Sequence, residues 1–155
     1  MVEFAGPVTV AAVDLGAARL SDESTAPKWR IWADHWSVPL GTAARAEARL
    51  VFSISPGEWI AIGGSAPPDA VDLTHVRAMF RLTGPGATAI LEHLCGIDLS
   101  DQFTPHGAAA RTLVAGVATE MVRDDVEGNP SYLLLMSRSF ARAVWERLIA
   151  VSRPL

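Results

Sequence analysis

Residues 76–94 place the strongest constraint on the fold, because the hydrophobic period changes there within one short stretch. From Val76 to Thr83 the side chains split by parity, with Val76, Ala78, Phe80 and Leu82 on one side and Arg77, Met79, Arg81 and Thr83 on the other. A period of two belongs to a β-strand, and this split predicts a half-buried strand with one wet face. Gly84-Pro85 breaks the run. Proline suits the first turn of a helix, where an N–H would have no partner. Ala87, Ile90, Leu91 and Leu94 then recur at i, i+3, i+4 and i+7, predicting an amphipathic helix that stops near Cys95-Gly96.

The same alternation of types continues on either side. Leu50–Ser55 and Trp59–Gly63 are two β-rich runs joined through Pro56-Gly57-Glu58, which reads as a hairpin. Apolar runs at Thr112–Val117 and Thr119–Val122 lead through the acidic turn Asp124–Pro130 to a strand over Ser131–Met136. Ser137 is placed as a helix N-cap, and Phe140, Val144 and Leu148 line one face of a closing helix that Trp145 and Ile149 widen. The plan is α+β: an antiparallel or mixed sheet with helices packed on one face. The 155 residues make one domain's worth of chain. The turn-rich stretch Gly63–Pro68 is a loop within that domain. Residues 1–49 are patterned least clearly. Val8, Val10 and Ala12 suggest a strand, residues 21–27 a polar connector, and Trp29–Trp36 either a short strand or an exposed aromatic segment.

Composition excludes several functions. A formal charge of −4 and a pI near 5.5 give no electrostatic footprint for nucleic acid. Half the residues are apolar and 19% charged, with mean hydropathy +0.24, so the chain has the makings of a core. Cys95 is the only cysteine, which excludes a disulfide framework and a multi-cysteine metal site. No apolar run is long enough to span a membrane, and the first residues lack the basic and apolar regions of a signal peptide. The expectation is a soluble, cytoplasmic protein that engages neither nucleic acid nor membrane. Lys28 is the only lysine among many arginines, a skew that reads as codon bias and not as a binding device.

Catalytic motifs are scarce. A phosphate loop needs Lys followed by Ser or Thr, and Lys28 precedes Trp29. Gly84 and Gly86 follow a strand, but no third glycine completes a dinucleotide fingerprint, so they read as a strand-to-helix turn. Gly63-Gly64-Ser65-Ala66-Pro67 ends in proline where a nucleophile elbow needs glycine. His35, His75, His93 and His106 lie on separate elements without metal-ligand spacing. Cys95 ends a helix, where the dipole opposes a thiolate, and reads as buried and inert. Asp124–Glu127 lacks the ligand alternation of a calcium loop and reads as a solvated turn. Trp59 and Trp145 fit a core. Trp29, Trp32 and Trp36 form either an aromatic partner surface or further core.

An ordered set of short motifs adds a resemblance. Ser55-Pro56-Gly57-Glu58-Trp59, Val71–His75, Phe80–Pro85, Leu94–Leu99, Phe103–Gly107 with Arg111-Thr112-Leu113, and Ser137–Ala141 with Trp145 follow one another across Leu50–Ser152. This series resembles the gamma subunit of heterotetrameric sarcosine oxidase, which is similar in turn to the folate-binding domain of aminomethyltransferases. The resemblance covers residues 50–152 and implies an aminomethyltransferase-like α+β domain.

The function it implies is a non-catalytic subunit of a flavoenzyme that demethylates sarcosine oxidatively. FAD, FMN, NAD and tetrahydrofolate are then expected on larger partner chains, with no cofactor and no metal on this one. Aminomethyltransferases carry an Asp-Asp pair on the strand after a glycine-rich turn, and the resemblance sets Thr119-Glu120 there, after Ala115-Gly116-Val117. Glu120 is thus the one candidate for a general base, if buried and poised; a carboxylate on a polar strand face is otherwise solvated. Candidate interface anchors are Trp29, Trp32, Trp36 and Arg138, since interface hot spots favour Trp and Arg. The rival reading is a stand-alone protein of the same fold, acting as a small-molecule binder or repurposed enzyme.

Overall fold

A computed structural model describes residues 7–8, 10–32 and 37–153. Their architecture is two antiparallel sheets packed face to face, with two helices on the far side of the larger one. The strands are β1 (Ala12–Asp14), β2 (Arg19–Asp22), β3 (Lys28–Ile31), β4 (Thr42–Ala46), β5 (Arg49–Ser55) and β6 (Glu58–Ile62). They continue with β7 (Val71–Asp72), β8 (Arg77–Thr83), β9 (Ala109–Val114), β10 (Val117–Arg123) and β11 (Ser131–Ser137). The helices are α1 (Ala87–Glu92), after β8, and α2 (Ala141–Ser152), after β11 and a 3-10 turn at Arg138–Phe140. The six-stranded sheet runs β1-β2-β8-β11-β10-β9 and the five-stranded sheet β4-β5-β6-β3-β7.

The α+β plan is therefore the observed one, and helices do pack on one face. The second sheet is the addition. The strand foreseen over residues 76–83 is β8, but its second face is not wet. Ala78, Phe80 and Leu82 meet the helices, while Met79 joins Leu133, Leu135 and Val122 against Phe52, Ile60 and Ile62 of the smaller sheet. On the helix side Phe80 and Trp145 cross edge to face, centroids 4.9 Å apart. The buried stripe of α2 is Ala141, Val144, Trp145 and Leu148, whereas Phe140 precedes the helix and is 55% exposed. Ser137 makes no side-chain capping bond, because the intervening 3-10 turn moves the helix start downstream.

The poorly patterned N-terminal segment supplies four strands, two to each sheet. Trp29 belongs to β3, and Trp36 lies outside the described residues. The Pro56-Gly57 hairpin is observed, with Gly57 at φ +71°, the value that the third residue of such a turn requires. Gly84 and Gly86 have a packing reason. A Cβ on Gly84 would lie 2.6 Å from the Ala17 carbonyl oxygen, and one on Gly86 2.5 Å from the Ala17 Cβ. The turn is glycine-rich because the β1–β2 connection crosses it, and no ligand is needed to explain it.

Two polar groups inside the sandwich were not foreseen. Lys28 is fully buried, and its ammonium donates to the carbonyls of Ser24, Ala26 and Thr74 at 2.7, 3.0 and 3.2 Å. It ties the β2–β3 turn to the loop after β7, and burial lowers its pKa to about 8 against the pull of Asp22 and Asp72. Asp124 is not part of a solvated turn. It is 3% exposed and holds Arg45 at 2.6 Å and Arg81 at 3.0 Å, while Arg81 also meets Glu23 and Ser131.

Lys28→Met strands three interior carbonyls and is expected to destabilise the fold by on the order of 3 kcal/mol in urea unfolding. Because the folded pKa lies below the ordinary value of 10.5, the unfolded chain binds the extra proton between these limits. The stability of the wild type relative to Lys28→Met should therefore rise from about pH 8 to 10.5 and stay level below pH 8.

Candidate functional site

Glu120 sits in the middle of β10, opposite Arg111 of β9 and Leu135 of β11. Its parity is that of Val122, so its side chain enters the inter-sheet layer, and Thr119, 1% exposed, takes the opposite face. The inward-facing residues of β8 run Arg81, Met79, Arg77, which brings Arg77 to the same end of the layer. Glu120 is 2% exposed, so the expectation of a solvated carboxylate is corrected. Oε1 lies 3.3 Å from Arg77 Nη2 and 3.7 Å from Arg111 Nη2. Oε2 is buried without a hydrogen-bond partner. An ionised carboxylate with one orphan oxygen is costly unless a charge holds it, and here the two guanidiniums supply that charge.

A cleft of about 190 Å³ is lined by Arg77, Gly116, Val117, Ala118, Ser137 and Phe140, and meets this group only through Arg77. Its wall is part cationic and part apolar. The Ala115-Gly116 hairpin that borders it has φ +52° and +78° at its two residues, the conformation of a tight two-residue turn. Glu58 and Arg30 form a further ion pair at 2.9 Å, on the five-stranded sheet.

The other singled-out residues are dispersed. Trp29 packs half-buried with Ile31, Val51, Trp59 and Ala61 on the outer face of the five-stranded sheet. Trp32 is 56% exposed with the Arg30 guanidinium 6.0 Å over its ring. Arg138 donates its main-chain N–H to Val76 O at 3.2 Å, beside the cleft residues Ser137 and Phe140. Arg138 thus flanks the cleft through its main chain, and neither Trp29 nor Trp32 lies at it. Cys95 is half-buried, its Sγ 3.7 Å from Thr112 Oγ1.

Among the described residues His75, His93 and His106 lie on separate stretches of chain, and His35 lies outside the described residues. His106 Nδ1 accepts the Asp125 N–H at 3.0 Å, and Asp72 turns back on Thr74, whose hydrogen bonds hold its carboxyl below the usual range. Among the described residues no group of three or more His, Cys, Asp or Glu could hold a metal ion. A second polar cluster was missed in the sequence: Arg123 is buried, pairs with Asp101 and Asp125, and lies 5.9 Å from the Tyr132 ring. Arginines set among core residues, Arg77 and Arg81 on β8 and Arg123 at the end of β10, were the available signal, since a buried arginine needs carboxylates nearby.

This arrangement belongs to a known fold. No protein-family description and no curated protein sequence matches the chain. Solved structures do. The chain superposes with TM-score 0.74 and 17% identity on a chain of heterotetrameric sarcosine oxidase from Corynebacterium sp. U-96, solved with pyrrole 2-carboxylate, covering 92% of this chain and 87% of that one. It superposes with TM-score 0.63 and 13% identity on glycine cleavage system aminomethyltransferase T from Bartonella henselae, covering 84% of this chain and 45% of that one. The chain thus spans about half the length of that aminomethyltransferase. The gamma-subunit-like, aminomethyltransferase-like fold that the motifs implied is the fold observed; at these identities the likeness is one of fold.

Because Arg77 and Arg111 remain partly solvated, Glu120→Gln is expected to cost only about 1 kcal/mol in urea unfolding.

Proposed function

We propose that this chain is a non-catalytic subunit of a sarcosine oxidase-type flavoenzyme. The observation that carries the reading is mutual coverage. The superposition takes in nearly all of this chain and nearly all of one chain of a heterotetrameric oxidase. In this reading FAD, FMN, NAD and tetrahydrofolate belong to larger partner chains in the cytoplasm, and the present chain contributes buried interface area. No helix among the described residues is long and apolar enough to cross a membrane. Trp32 is the natural anchor, because a half-exposed indole stacked on Arg30 offers a large rigid contact surface.

A stand-alone small-molecule binder is the second reading, and a cleft lined by Arg77, the ion-pair partner of Glu120, favours it. At about 190 Å³ the cleft is below the usual range of ligand pockets, so it suits an N-methyl amino acid and is too small for a whole folate.

Affinity purification of the tagged chain from its native host, read by mass spectrometry, is expected to recover larger chains with it. Trp32→Ala is expected to weaken that association by about 10- to 100-fold, the loss of 1–3 kcal/mol usual for a hot-spot tryptophan. A chain that comes out alone and binds an N-methyl amino acid in calorimetry would favour the second reading instead.

A further inference from the structure

We propose that the outer edge of β9 takes up an extended segment of a partner chain as an added strand. The proposal rests on the subunit reading and names where a partner docks. β9 is the last strand of the six-stranded sheet, and among the described residues its outer main chain is bridged only at Val114, to Cys95, and just before the strand at Ala108, to Thr42. The two-residue hairpin pairs Val114 with Val117, so Val114, Thr112 and Ala110 hydrogen-bond to β10. Arg111 and Leu113 therefore turn their N–H groups outward. Ala109, in the same phase, does donate outward, to Gly41 O at 2.9 Å. Between the two bridges the edge is open.

That opening continues into a mostly apolar cleft of about 360 Å³, lined among others by Gly41, Ile97, Phe103, Ala109 and Met121, with Asp98 and Thr104 as its polar members. Phe103 and Leu113 are 64% and 59% exposed. The occupant follows from complementarity. Outward main-chain donors at alternate residues match the carbonyls of an extended peptide, and the cleft accepts one apolar side chain. The Arg111 guanidinium, 51% exposed and 3.7 Å from Glu120, has capacity left for a second carboxylate. The docking segment is thus an extended stretch of the partner carrying an apolar residue and a nearby acidic one.

Two variants test this. Leu113→Pro deletes an outward N–H and leaves the ladder to β10 intact. Phe103→Asp puts a charge at the mouth of the cleft without touching the sheet. Each tagged variant is purified from the native host beside the wild type, the larger chains are quantified by mass spectrometry, and melting is followed by circular dichroism. Both variants are expected to recover at least about tenfold less of the larger chains while melting close to the wild type. If Leu113→Pro fails to fold, Phe103→Asp decides. Larger chains recovered equally by the wild type and by the variants overturn the β9 assignment and leave the subunit reading standing. A wild-type chain recovered alone overturns both.

Discussion

The central strands β8 and β11 are buried on both faces, and the rest of the structure follows from that condition. Six of the seven residues of β11 are buried, so each face of the six-stranded sheet needs a cover. One face takes α1 and α2 through Phe80, Tyr132 and Trp145. The other takes the five-stranded sheet through Met79, Leu133 and Leu135. Polar groups caught between the sheets must then find partners within the protein. Lys28 does so with three carbonyls and Asp124 with two arginines. Glu120 does so with only one of its two oxygens.

This division of labour explains what periodicity revealed. A strand whose one face meets helices and whose other face meets a sheet should read as almost wholly apolar. β8 instead carries Arg77 and Arg81 on its inter-sheet face, because those positions lie at the two ends of the layer where carboxylates wait. The alternation marks a strand, but its arginine-bearing face is covered by the five-stranded sheet and not by water. The Met79 between the two arginines was the sign of burial. The hairpin at Pro56-Gly57, the turn at Gly84-Pro85 and the closing helix were legible because local backbone chemistry determines them. The four N-terminal strands were not. They are three to five residues long and owe their conformation to neighbours distant in sequence.

The candidate site was legible in part, by analogy of motif and not by pattern. Glu120 was singled out from its place after the Ala115-Gly116 turn, and its burial is decided by partners on β8 and β9 that no local window contains. The solvated turn expected at Asp124 is buried for the same reason, and nothing local announces the burial of Lys28. Asp124 and Lys28 sit in polar or turn-like stretches, and the packing of two sheets turns them inward; Arg123 is buried over Tyr132 with Asp101 and Asp125 as partners. The resemblance to a sarcosine oxidase subunit, carried by dispersed short motifs, agrees with the fold at a sequence identity of 17%.

The central claim is that this fold serves an assembly, and the most direct measurement is the size and colour of the species that contains the chain. Sedimentation velocity of the tagged chain purified from its native host, recorded at protein and flavin wavelengths, is that measurement. The account predicts one boundary much larger than a 16.5 kDa monomer, absorbing at both wavelengths. A colourless boundary at the monomer mass would contradict it.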